Sequence, residues 1–149
     1  MVLMKGDMWD VFNEVDYFLI TTNPIVNKQG LAVMGRGIAK QAANRFPDIR
    51  KRFGDLLLLD ENDMWNIGRI AKYGNTDVWY FMVKRHWADD ADPRIIKASA
   101  LSLAALAVAM PRKSFALNFP GIGNGNLNRE DVLPLLKCLP DNVSVWEYE

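Results

Sequence analysis

Cysteine and histidine are nearly missing from these 149 residues; each occurs once, as Cys138 and His86. A lone cysteine forms no internal disulfide, so nothing points to an oxidising, secreted setting. The pair cannot supply four ligands to zinc, and neither a metal nor a cofactor is expected. Net charge is missing too, because 18 basic residues are matched by 18 acidic ones. That balance argues against tight, non-specific binding to duplex nucleic acid, yet leaves room for a local basic patch or a small anionic ligand. The longest apolar run, Ala98 to Met110, falls short of the roughly 20 residues that cross a bilayer. The opening stretch Met1 to Asp7 reaches charge too early for a signal peptide. The expectation is a cytoplasmic, monomeric protein with no membrane contact, in which residues 1–149 form one domain. With 50% hydrophobic and 24% charged residues, such a chain can build an ordinary globular core.

Short strand-like runs alternate with helix-like ones, with no internal repeat or low-complexity segment. Val2 to Lys5 reads as a first strand, and Tyr17 to Thr22 as a buried one that stops at Asn23-Pro24. Gly37 to Phe46 places Ile38, Ala42 and Phe46 on one helical face, and Pro47 ends the helix. A second helix is expected from about Asp48 through the leucine run Leu56 to Leu59. Ile67 to Tyr73 and Asp77 to Val83 read as a hairpin joined by Gly74-Asn75. Pro93 opens a helix that continues to Ala109, apolar on nearly every side and therefore expected to be deeply buried. Ser114 to Phe119 is another strand, Asn128 or Asp131 can cap a helix that ends near Cys138, and Val143 to Trp146 closes the sheet. Pro134 would kink that last helix or mark a later start, and Cys138, among Leu135, Leu136 and Leu139, is expected in the core. This order predicts a three-layer α/β/α sandwich around a mixed, mostly parallel sheet, with ligands beyond the carboxyl ends of the strands.

Two glycine-rich segments each follow a strand and precede a helix: Gly30 to Lys40, with Gly35 and Gly37, and Pro120-Gly121-Ile122-Gly123-Asn124-Gly125-Asn126. Glycines permit close approach of a ligand, and a helix start offers unpaired N–H groups to a phosphate. A single such loop is weak evidence; two in one small chain are harder to dismiss as turns. Neither is a P-loop, and Gly35-x-Gly37 has Lys40 where the dinucleotide fingerprint needs a third glycine.

Gly6-Asp7, Val15 to Asn23, Val33-Met34-Gly35-Arg36-Gly37-Ile38-Ala39 and the second glycine loop together resemble a macrodomain over nearly the whole chain. Met34-Gly35-x-Gly37-Ile38-Ala39-Lys40-Gln41, with Phe46-Pro47 and Lys84-Arg85-His86-Trp87, is most similar to one subgroup. That subgroup holds the ADP-ribose 1''-phosphate phosphatases, the terminal ADP-ribose protein glycohydrolases and the DNA ADP-ribosyl glycohydrolase antitoxins. The resemblance implies that Asp7 accepts from the adenine amino group, beside the Met8 backbone, and that Asn23, after Thr22, faces the distal ribose. It implies that Met34, Gly35, Arg36, Gly37 and Ile38 offer backbone N–H groups to the diphosphate. Pro120, Gly121, Ile122, Gly123, Asn124, Gly125, Asn126 and Leu127 would close over it. The expected ligands are ADP-ribose, ADP-ribose 1''-phosphate or an ADP-ribosylated protein or nucleic acid.

The implied chemistry is hydrolysis at the distal ribose, either of a phosphate or of an ADP-ribosyl adduct. The lysine–aspartate pair of the terminal glycohydrolases finds no counterpart in Ala42-Ala43-Asn44-Arg45 or in Asn126-Leu127-Asn128, where the next acids are Glu130 and Asp131. Asn23, helped by Asn126 or Asn128, is then the candidate to orient water. His86 is an acid–base candidate by type, although its place at a strand end suits a rim role better. Trp146 and Tyr148 are candidates for the adenine edge. A non-catalytic module that binds ADP-ribose or a signalling nucleotide stays open as the alternative.

Overall fold

The computed structural model describes residues 1–59 and 66–148. Its sheet has six strands in the order β1-β6-β5-β2-β4-β3. These are β1 Val2–Lys5, β2 Tyr17–Thr22, β3 Ile67–Tyr73, β4 Thr76–Met82, β5 Phe115–Asn118 and β6 Val143–Glu147. All neighbouring pairs are parallel except β3 with β4, the hairpin turned at Gly74-Asn75. The helices are α1 Gly37–Arg45, α2 Ile49–Leu59, α3 Pro93–Ala109 and the single turn α4 Arg129–Val132, with 3₁₀ turns at Met8–Val11, Gly123–Gly125 and Leu133–Leu136.

The period-two geometry of the strands divides the core between the two faces of the sheet. Phe18 and Ile20 of β2, with Val78 and Tyr80 of β4, join Ala39 and Ala42 of α1 and Ile49 and Phe53 of α2. Leu19 and Phe81, from alternate positions of the same strands, join Ile96, Ala100 and Leu103 of α3 and Leu136 of the last 3₁₀ turn. Because both faces are covered, β2 reads as a continuous apolar run, and three of its side chains, Phe18, Leu19 and Ile20, are fully buried. The layering is the α/β/α arrangement expected from the sequence.

Several local expectations need correction. Helix α3 is not buried all round. Ile95, Ile96, Ser99 and Leu103 face the sheet, whereas Leu101 and Val108 are 52% and 66% exposed on its outer side. A helix on the outside of a sheet has one covered face whatever its composition. Cys138 is exposed, not core. The helix before it is α-helical only to Val132 and then tightens to a 3₁₀ turn with Pro134 in its first turn, so Leu136 and Leu139 turn inward and Cys138 outward. Asn128 does occupy the N-cap of α4, but its amide donates to Asp131 and makes no cap bond. Among the described residues, no helix is long and apolar enough to cross a membrane.

Candidate functional site

Five parallel strands bring their carboxyl ends to one edge of the sheet. That edge carries a cavity of about 430 Å³, within the size range of small-molecule sites. Its floor is made by Thr21, Thr22 and Asn23 at the end of β2, Asn118 and Phe119 at the end of β5, and Val83 and Lys84 just beyond β4. Val33 to Ala39 form one wall, and Gly121, Ile122, Asn124 and Gly125 the other, with Trp87 also on the lining.

The two glycine loops meet across this space. A methyl group on Gly37 would lie 3.4 Å from Nδ2 of Asn124. Gly37 has φ +56°, a left-handed conformation that a side chain would strain, and it starts α1. Arg36 occupies the N-cap but gives the first turn no side-chain bond, so the leading N–H groups of α1 have no cap. Ile122 likewise leaves the 3₁₀ turn of the second loop without a side-chain cap. Two sets of amide donors therefore border one cavity, an arrangement suited to an anion with several oxygens.

Both loops are pinned from behind. The Asn23 amide donates to Val33 O (3.1 Å) and accepts from Ile25 N–H (2.9 Å), which closes the segment between β2 and the first loop. Ala32 N–H donates to Arg50 O of α2, and Arg50 Nε donates back to Ala32 O, both at 2.9 Å. In the second loop Leu127 N–H donates to Gly121 O (2.9 Å), and Gly125 O accepts from Ala91 N–H (3.0 Å). Asn118 ties the floor together: its Oδ1 accepts from Thr21 N–H, and its Nδ2 donates to Thr21 Oγ1.

Of the residues singled out from the sequence, Thr22, Asn23, Met34, Gly35, Arg36, Gly37 and Ile38 line the cavity, with Gly121, Ile122, Asn124 and Gly125 opposite them. Pro120, Gly123, Asn126 and Leu127 belong to the second loop but are not on the lining. The Asn126 side chain turns away and donates to Asp90 (2.7 Å), and Asn128 is held by Asp131. Asp7 and Met8 also lie off the lining; Asp7 Oδ1 accepts from Trp9 N–H and caps the turn that follows β1. Trp146 donates to Ser144, while Tyr148 stands 79% exposed, and neither borders the cavity. His86 is exposed, with Nδ1 accepting from Ala88 N–H.

Lys84, Trp87 and Asn118 line the site without having been singled out for it. Asn118 had a readable signal, a polar residue ending an apolar strand. Lys84 had one too, as the first charge after the run that ends at Val83. Burial pushes the Lys84 ammonium below its usual range, and the nearby Arg36 guanidinium pushes the same way, against the opposing pull of Asp90 and Asp89. Among the described residues, no group of three or more His, Cys, Asp and Glu is placed to hold a metal ion.

A mixed sheet between helical layers, with two glycine loops converging at its carboxyl edge, is a macrodomain fold. The DNA ADP-ribosyl glycohydrolase of Thermus aquaticus is 27% identical over 129 residues, which are 80% of this chain and 35% of that protein. The chain thus spans about a third of the length of the curated relative it matches. The structure of Thermosipho africanus DarTG in complex with ADP-ribose superposes with a TM-score of 0.79 at 22% identity, covering 100% of this chain and 42% of that one. The macrodomain of Thermus aquaticus DarG gives 0.77 at 22% identity, covering 99% of this chain and 97% of that one. No family model matches.

Proposed function

We propose that this chain binds ADP-ribose at the sheet edge and hydrolyses the bond between its distal ribose and a DNA adduct, acting as one monomeric domain. The observation that carries the reading is the meeting of two uncapped amide arrays, at Gly37 and at Ile122 to Asn124, over one cavity. The names of the similar proteins supply the ligand, ADP-ribose, and the adduct, DNA.

The order of the strand ends supports one orientation of the ligand. Asn118 of β5 pairs across β6 at Trp146 with Met4 of β1, so Asp7 lies about two strand spacings, roughly 10 Å, from the β5 end of the cavity. With adenine on the Asp7 side and the diphosphate between the loops, the distal ribose falls at Asn23 and Lys84, beyond the ends of β2 and β4. Lys84 then supplies the base for attack at C1'', because its lowered pKa yields more neutral amine near neutral pH than an ordinary lysine would. Asn23, already fixed by Val33 and Ile25, presents the rest of its amide to the ribose hydroxyls.

The test combines calorimetry with ADP-ribose and incubation with ADP-ribosylated DNA, ADP-ribosylated protein and ADP-ribose 1''-phosphate. The expected result is saturable binding and release of ADP-ribose from DNA. In Lys84→Ala, turnover should fall at least about 100-fold while affinity for ADP-ribose stays within roughly fivefold. Tight binding without turnover on any substrate would leave a binding module in place of a hydrolase. Failure to bind ADP-ribose would remove the reading altogether.

A further inference from the structure

Trp87 lies three residues beyond Lys84, the proposed base, and lines the same cavity. It follows Lys84 in the connection between β4 and α3, lines the cavity, and is still 45% exposed. Trp87 thus keeps open aromatic surface on the lining of the cavity, available to a planar group bound there. The segment that carries it is anchored on both sides. Asp92 N–H donates to Val83 O at 2.8 Å, Ala91 N–H donates to Gly125 O at 3.0 Å, and Asp90 accepts from Asn126 at 2.7 Å. The His86 ring lies 5.3 Å from the Trp87 ring, and its Nδ1 is fixed by Ala88 N–H. Two cations, Arg36 and Lys84, border the same cavity, and Arg36 is close enough to add to the effect of burial in lowering the Lys84 pKa. Asp89 and Asp90 lie at the far end of the segment, where Asp90 is engaged by Asn126.

We propose that Trp87 is a stacking platform for a nucleobase of a single-stranded nucleic acid joined to the distal ribose. The inference rests on the placement of ADP-ribose given above and specifies what lies beyond C1''. With C1'' at Lys84, three residues before Trp87 on the same connection, what is attached to C1'' falls beside Trp87 on the lining. A rigidly based aromatic face beside cations is the equipment that holds unpaired bases, since every base has a π face and the strand carries phosphates. A base inside a duplex offers no free face, so the platform selects single strands. The zero net charge of the chain fits this mode, because grip at one stacked base needs no broad basic surface.

The experiment compares an ADP-ribosylated single-stranded oligonucleotide with the ADP-ribosylated nucleoside obtained from it by nuclease digestion. It uses the wild type, Trp87→Ala and Trp87→Phe, with circular dichroism as a check of folding. Both kcat/KM and equilibrium binding by fluorescence anisotropy are read, the latter in the Lys84→Ala background so that no turnover is needed. Wild type should prefer the oligonucleotide roughly 10-fold. Trp87→Ala should reduce that preference to about twofold or less, mainly through KM, and Trp87→Phe should restore most of it. An undiminished preference in Trp87→Ala, or equal treatment of the two substrates by wild type, overturns the platform. If wild type hydrolyses neither substrate, the glycohydrolase reading fails; the anisotropy ratio then still decides the platform by itself. A folded Trp87→Ala that has lost the oligonucleotide and the nucleoside to the same degree overturns it as well, since Trp87 would then serve ADP-ribose itself.

Discussion

In the proposed placement of ADP-ribose, Lys84 and Asp7 serve opposite ends of the ligand, and each makes a residue-level prediction. A base is active when deprotonated, and the folded pKa of Lys84 is lowered by burial and by Arg36. Cleavage should therefore rise with pH and level off above the folded pKa, with an apparent midpoint below the ordinary lysine value of about 10.4. A pH–rate profile on ADP-ribosylated DNA checks this, and Arg36→Ala should move the midpoint upward. Asp7 caps its own turn through Oδ1, so Asp7→Asn keeps the Trp9 bond while it removes the charge and turns the second acceptor oxygen into an NH2 donor. Affinity for ADP-ribose should drop roughly fivefold to tenfold, while ribose 5-phosphate, which has no adenine, should bind unchanged in calorimetry. The two glycine loops were legible because strand–loop–helix chemistry is local, whereas Asn23 was legible through the family resemblance, its local pattern alone reading as a strand-end turn. Lys84 and Trp87 were visible as part of a motif, and Lys84 as the first charge after an apolar run, but their place on the cavity follows from strand order, with β4 lying beside β2, which the local pattern does not give.

The elements carry the site through their packing against the backs of the loops. Gly54 lies in the middle of α2, where glycine normally costs about 1 kcal/mol against alanine. Here a methyl group at that position would stand 2.2 Å from the carbonyl oxygen of Gly30, so α2 can lie against the first loop only if the residue is glycine. Gly54→Ala should lower stability by about 1–3 kcal/mol in urea unfolding and weaken ADP-ribose binding, as the loop is pushed away from Arg50 and Asn23. Gly35, by contrast, has open space around it and no left-handed φ. Gly35→Phe should cut ADP-ribose affinity at least about tenfold with little change in the unfolding midpoint. Gly125 is a poorer choice for such a block, since a methyl group there would lie 2.9 Å from Ala91 Cβ. The helices and strands were readable to within about a residue at most ends because Pro47, Pro93 and Gly74-Asn75 punctuate them. The outward faces of α3 and of Cys138 were not readable, since composition reports how apolar a segment is and not which side the sheet covers.

For the molecule as a whole, the site is a seam between two independently packed faces of one sheet. α1 and the first loop belong to the Phe18–Phe53 cluster, while the second loop, through Ile122 and Leu127, belongs to the Leu19–Leu103 cluster. A ligand that bridges both loops should stabilise the fold by about 2.7 kcal/mol at 100 times its dissociation constant, roughly 5–10 °C in thermal midpoint for a chain of this size. The most direct measurement is the backbone amide NMR spectrum with increasing ADP-ribose. The largest shifts should fall together on 35–38 and 121–125, titrating with one constant, with smaller ones at Asn23 and Lys84. If ADP-ribose saturates the protein and leaves either loop unmoved, the pyrophosphate does not lie between them.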